Sequence, residues 1–104
     1  MSFLQPDIEW DQLRQFFGCY LHEDWRVEYE TVNDAVVDAA PDFDYHLLNE
    51  YDRVRALQLD EEGYERMLLE VGCALAPEAF DMRPSEFWTW VEQLMRSELA
   101  SRPT

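Results

Sequence analysis

The most regular pattern in the chain lies between residues 60 and 75, which read DEEGYERMLLEVGCAL. Apolar side chains recur there at the spacing of one helix face, at Tyr64, Met67, Leu68, Val71 and Leu75. Asp60 precedes the pattern and can accept a hydrogen bond from the first free backbone N–H groups. The stretch therefore predicts an amphipathic helix that begins after Asp60 and stops near Pro77.

Weaker helical patterns lie on both sides of this stretch. The expected helices cover about residues 8–17, 31–40, 42–57 and 84–100, with caps at Asp7 and Thr31. Gly18 is expected to end the first helix. In residues 19–30, Trp25, Val27 and Tyr29 alternate with charged residues, which is typical of an extended chain. The sequence predicts an all-α fold, a compact bundle of four to five helices with one extended segment near residues 19–30.

Length and composition limit the class of protein. A chain of 104 residues fits one domain, residues 1–104, and 47% hydrophobic residues exclude an acidic disordered chain. A net charge of −15 excludes direct binding to nucleic-acid phosphates. No apolar run approaches the roughly 20 residues of a membrane span. Residues 1–9 lack the features of a signal peptide, so we expect a cytoplasmic protein with no membrane contact.

The negative charge is concentrated in the first 65 residues. They carry −13 of the net −15, and residues 42–65 alone carry −6. Self-repulsion of this size weakens the compact state, so its retention favours a positively charged partner. The acids expected to face that partner lie on the outer face of one helix and at the start of the next: Asp42, Asp44, Glu50, Asp52, Asp60, Glu61, Glu62 and Glu65. The alternative is that they form an ordinary solvated face.

No residue spacing typical of a catalytic or metal centre occurs in the chain. The two histidines, His22 and His46, belong to no H-x-x-x-H or H-E-x-x-H pattern, and the two cysteines to no C-x-x-C pattern. A glycine-rich nucleotide loop is also absent. We therefore expect no metal, no cofactor, no small-molecule ligand and no enzymatic activity. One alternative is a nucleophilic pair of Cys19 with His22 or His46. Another is a small hydrolase, which would need a pocket of converging titratable groups.

Residues 16–25 read FFGCYLHEDW and combine aromatic side chains with a histidine and an acid–tryptophan pair. The segment resembles the N-terminal motif of a family of small bacterial immunity proteins from contact-dependent growth inhibition systems. The matching positions are Gly18, Tyr20, His22, Asp24 and Trp25, followed later by Ala35, Val36, Trp90 and Val91. Leu21 departs from the family pattern, which has an aromatic residue after the tyrosine. The resemblance covers roughly residues 10–100.

The resemblance implies a protein that binds the C-terminal toxin domain of a large exoprotein delivered by neighbouring cells. It also implies that the shared motif is scaffold, while the toxin-contacting residues vary with each toxin. Because the chain has no spanning segment, we expect a toxin that acts in the cytosol, most simply a nuclease. A nuclease holds phosphates with Arg and Lys, so an acidic inhibitor would be complementary to it.

A second interpretation is an acidic nucleic-acid mimic or a helical adaptor that binds another basic partner. It explains the charge equally well, but it leaves residues 16–25 unexplained. A toxin-encoding reading frame immediately upstream would distinguish the two.

Overall fold

Helices form the regular structure of residues 10–101, the part of the chain that the computed structural model describes. In chain order they are α1 (Asp11–Tyr20), α2 (Trp25–Glu28), α3 (Val32–Ala39), α4 (Tyr45–Ala56), α5 (Glu61–Glu70) and α6 (Pro84–Ala100). Two short 3₁₀ turns, Ala40–Asp42 and Pro77–Phe80, lie between them. No strand occurs within residues 10–101, so the prediction of an all-α fold is confirmed.

Side-chain caps begin two of the helices where the sequence predicts them. The Thr31 hydroxyl accepts a hydrogen bond from the backbone N–H of Asp34 at 3.0 Å, which begins α3. The Asp60 carboxylate accepts one from the N–H of Gly63 at 2.8 Å, which begins α5. Both caps are confirmed, and such a cap stabilises its helix by about 1 kcal/mol. The predicted cap at Asp7 lies outside the described residues.

The prediction of an extended segment over residues 19–30 is wrong. Helix α1 continues through Gly18 to Tyr20, and the one-turn helix α2 follows after a short turn. Only the end of the segment is extended, with Tyr29 at φ −133° and ψ 141°. The alternation fails because Trp25 is buried whereas Val27 is 84% exposed, so the two side chains lie on different faces. Helix α2 is also why residues 10–101 hold six helices rather than the predicted four to five.

Gly72, rather than Pro77, ends the helix with the most regular pattern. Its φ of +83° is left-handed, a conformation that glycine adopts at low cost just beyond a helix end. A Cβ atom built on Gly72 would lie 3.6 Å from the Cα atom of Gly18, so the two glycines mark a close approach of the chain. Leu75 lies beyond the helix but is still buried.

Helix α6 packs against α3 and α5, while α1 packs against α4 and α3. Aromatic rings join these groups, since Trp88 stacks on Phe17 at 5.4 Å and meets the Tyr51 ring edge-on at 5.4 Å. The buried apolar residues form one cluster. Six of the seven predicted core residues are buried in it, and Leu94 is half-buried: Leu13, Phe17, Tyr51, Leu68, Val71, Val91 and Leu94.

Candidate functional site

Glu50 does not lie on an outer face, and this part of the sequence prediction is wrong. Its side chain is only 6% exposed. Its two carboxylate oxygens accept hydrogen bonds from the backbone N–H groups of Gln12 at 3.1 Å and Leu13 at 2.9 Å. Those N–H groups belong to the first turn of α1, where backbone donors have no partner within the helix and the dipole favours an anion. Glu50 therefore caps α1 from a different helix.

The position of Glu50 was readable from the helical spacing. It follows Leu47 by three residues and precedes Val54 by four, so it shares the buried face of α4. Glu92 repeats the same pattern on α6, where it follows Trp88 by four residues and precedes Met95 by three. An acid inside an apolar stripe is therefore the sequence signal for a buried carboxylate that has hydrogen-bond or ion-pair partners inside the protein.

Asp52 belongs to an ion-pair network that joins α4 to α6. Arg96 donates to Asp52 at 2.7 Å and to Glu92 at 2.7 Å, and Arg55 donates to the same oxygen of Glu92 at 2.6 Å. Glu92 is 2% exposed, so its two arginine partners satisfy a charge that burial would otherwise penalise. Asp52 itself stays exposed, but much of its charge is balanced by Arg96.

Asp42 and Asp44 both bind neighbouring groups at the entrance to α4. Asp44 accepts the backbone N–H of His46 at 2.9 Å and caps the helix, which begins at Tyr45 rather than at the predicted Asp42. Asp42 accepts the hydroxyl of Tyr20 at 2.5 Å. This hydrogen bond, with a smaller contribution from burial, raises the pKa of Tyr20 to about 12.

The four acids around the start of α5 differ from one another. Asp60 caps the helix, and Glu62 pairs with Arg66 at 2.7 Å. Glu61 accepts the backbone N–H of Ser85 at 2.9 Å and its hydroxyl at 2.6 Å, and these bonds hold the pKa of Glu61 below its usual 4.5. Glu65 is exposed, and its side chain has no hydrogen bond or ion pair within residues 10–101.

The motif of residues 18–25 contributes residues both to the core and to the surface. Trp25 is buried against Phe80, with ring centres 6.4 Å apart. His22 accepts the backbone N–H of Asp24 through Nδ1 at 3.0 Å, in the turn that precedes α2. Gly18 lies on the exposed side of α1. The scaffold role of the motif stays a prediction.

A second run of exposed acids, which sequence reasoning missed, extends from the turn before α2 to the start of α3. We call it the α2–α3 surface and define it by five exposed acids: Glu23, Asp24, Glu28, Glu30 and Asp34. Their carboxylates make no hydrogen bond or ion pair with any described residue. The single base in residues 23–34, Arg26, lies 5.5 Å above the Trp25 ring. The net −4 in these 12 residues was the available signal.

The described residues assemble no candidate reaction centre. Residues 10–101 hold no group of three His, Cys, Asp or Glu side chains placed to bind a metal. Burial raises the pKa of the Cys73 thiol to about 11, so this thiol is protonated at neutral pH. Cys19 is exposed. In the same part of the chain, no helix has both the length and the apolar character that a membrane span requires.

Residues 10–101 place the protein in the class of small acidic all-α domains, with exposed carboxylates in two segments. The comparison with protein families identifies the family within that class. The family description "CdiI immunity protein" matches residues 9–95, most of the chain, so the chain belongs to the CdiI immunity protein family. The resemblance seen in residues 16–25 is thereby confirmed. Neither the curated proteins nor the solved structures gave a match.

Membership places the protein among the immunity proteins of contact-dependent growth inhibition.

Proposed function

We propose that this protein binds the C-terminal toxin domain of its cognate growth-inhibition exoprotein in the cytoplasm and neutralises it, and that the toxin is a nuclease. The observation that carries the proposal is the family match over residues 9–95. A net charge of −15 supports it, because a nuclease cleft presents Arg and Lys to its substrate and attracts an acidic inhibitor.

The mechanism is inhibition by occupancy, with no bond made or broken by the immunity protein. Long-range attraction raises the association rate, and contacts formed after docking set the residence time. Neither process needs a metal or a cofactor. The buried Cys73 thiol offers no thiolate at neutral pH, since burial raises its pKa.

The acids of residues 42–65 remain candidates for toxin contact, with Glu50 removed because it is buried. They are Asp42, Asp44, Asp52, Asp60, Glu61, Glu62 and Glu65. Those that pair with arginine inside the protein, such as Asp52 and Glu62, have a weaker external field than those that accept hydrogen bonds from neutral groups. The α2–α3 surface joins the candidates because its five carboxylates have no described internal partner.

The test is to co-express this chain with the toxin domain encoded immediately upstream. We expect the two to co-purify as a complex, and we expect nucleic acid to be degraded by the free toxin but not by the complex. A toxin domain that binds but leaves nucleic acid intact when free would refute the nuclease assignment alone. A toxin domain that neither binds nor is inhibited would refute the function.

The same preparation tests the second interpretation. An acidic mimic or adaptor would bind unrelated basic proteins, such as lysozyme, as tightly as it binds the toxin domain. An immunity protein should bind the cognate domain far more tightly than lysozyme at physiological salt, because screening weakens non-specific attraction.

A further inference from the structure

An open apolar groove of about 540 Å³ lies between the end of α5 and the beginning of α6. Its apolar lining comes from both helices and from the loop between them: Leu68, Leu69, Leu75, Pro77, Met82 and Pro84. This volume lies within the range of about 300–1,000 Å³ typical of ligand sites. It can hold one or two large apolar side chains of a partner.

Leu69 makes the groove unusual for a protein surface. It is 71% exposed, although its neighbours Leu68 and Met67 are buried in the core. Leu69 therefore adds little to the core, and its apolar surface is left to water. Exposed apolar surface beside a concave site is typical of an interaction site.

The charges at the groove define the partner that fits it. Glu65 and Glu78 line the groove, both are exposed, and neither carboxylate has a described partner. Arg83 also lines it, but its guanidinium lies 3.3 Å from Glu86 and 3.9 Å from Glu61, which balance its charge. The surroundings of the groove are therefore negative.

We infer that this groove, which we call the α5–α6 groove, receives an apolar side chain of the toxin domain that is flanked by Lys or Arg. The inference rests on the proposed function and locates an anchor for it. The apolar side chain would cover Leu69, and the flanking cations would pair with Glu65 and Glu78. A second copy of this chain fits poorly, because each copy carries a net charge of −15.

The first test compares two neutral substitutions at exposed aliphatic residues. Leu69→Gln removes apolar surface from the groove, while Val37→Gln makes the same kind of change on α3, which contributes nothing to the groove lining. The probe is the toxin domain encoded immediately upstream, immobilised for surface binding kinetics. We expect Leu69→Gln to raise the dissociation rate at least about tenfold, as loss of an interface anchor does. The association rate should change less than about twofold, since net charge is unchanged.

The second test removes the two charges with Glu65→Gln/Glu78→Gln. Both residues are exposed, so we expect the melting midpoint to stay near that of the parent. Dissociation should become several-fold faster at low salt, with a smaller effect at high salt.

The possible outcomes separate the groove from the proposed function. Tight toxin binding that Leu69→Gln leaves unchanged would overturn the groove and leave the function standing. A toxin domain that does not bind the parent would overturn both. A concentration-dependent dimer of the free protein, abolished by Leu69→Gln in sedimentation experiments, would assign the groove to self-association instead.

Discussion

Residues 23–34 and residues 42–65 are both acidic, but their carboxylates do different things. In residues 42–65, most acids cap a helix, bind a hydroxyl or pair with an arginine. In residues 23–34, the five exposed acids have no described partner, and the one arginine lies over an aromatic ring. The longer segment has the larger charge, −6 against −4, but the shorter one has the higher charge density.

The difference teaches that net charge along a sequence does not measure the charge available to a partner. A carboxylate that stabilises a helix start already contributes to folding, and changing it tests stability as well as binding. A carboxylate without an internal partner can be changed to test binding alone. The two segments should therefore respond in opposite ways to the same substitution.

The largest expected effect is on Glu50. Glu50→Ala removes the acceptor for two backbone N–H groups of α1, and we expect a loss of about 2–3 kcal/mol in the free energy of unfolding. Glu50→Gln retains one acceptor and should lose less. The measurement is urea denaturation followed by circular dichroism. The control is Glu30→Ala on the α2–α3 surface, expected within about 0.5 kcal/mol of the parent. Equal losses in the two alanine variants would show that Glu50 stabilises the fold no more than an exposed acid without an internal partner.

The next effect is on the rate of toxin binding. Neutralising Glu23, Asp24, Glu28 and Glu30 to their amides should slow association about tenfold at low salt, because these charges are not balanced internally. The matched set is Asp60, Glu61, Glu62 and Glu65, which should slow association less. The measurement is the association rate at several salt concentrations, where the difference should shrink as salt rises. A larger effect from the second set would indicate that the main toxin contact lies in residues 42–65.

A smaller effect is expected on stability, and it should have opposite signs in the two quadruple variants. The quadruple change on the α2–α3 surface relieves repulsion, so it should raise the midpoint of urea unfolding at low salt. The quadruple change around α5 removes a cap and the hydrogen bonds to Ser85, so it should lower that midpoint. At high salt the gain should disappear and the loss should remain. A gain in both variants would show that the caps contribute nothing.

The smallest effect is a pH dependence at Glu61. Hydrogen bonds from Ser85 hold its pKa below 4.5, so its stabilising contribution is present above pH 4.5 and is lost as pH falls through the lowered pKa. Glu61→Gln should therefore be less stable than the parent at pH 7 and equal to it in strong acid. Thermal melts between pH 7 and pH 2 make the comparison.

The fold was predictable where one pattern acted alone. Asp60 and Thr31 stand before clear helical stripes, and both cap helices. Prediction failed where one local pattern was compatible with two different backbone structures. Gly18 looks like a helix end, but it lies inside α1, and a Cβ atom built on it would contact nothing within 4 Å. The alternation around Trp25 looks extended, but a single helical turn also separates neighbouring side chains onto different faces.

The candidate site was predictable only in part, because the functional value of an acid depends on tertiary partners. The sequence prediction put Glu50 on the outer face, although its spacing from Leu47 and Val54 matches the buried side of α4, and only the fold brings it to the first turn of α1. The balance of Asp52 by Arg96 depends on the packing of α4 with α6, which no local pattern specifies. Exposed Leu69 reads as an ordinary member of an apolar run, and its solvent contact appears only once α5 is packed.

The Glu50 cap also has a consequence for how the molecule opens. It joins residues that are 37 and 38 positions apart, so the first turn of α1 keeps its anion only while α4 stays docked. Native-state amide exchange reports such local opening. The amides of Gln12 and Leu13 should exchange with the same opening free energy as those of α4, rather than at the fast rate of a fraying helix end. We therefore expect the start of α1 to open together with α4 as one cooperative unit.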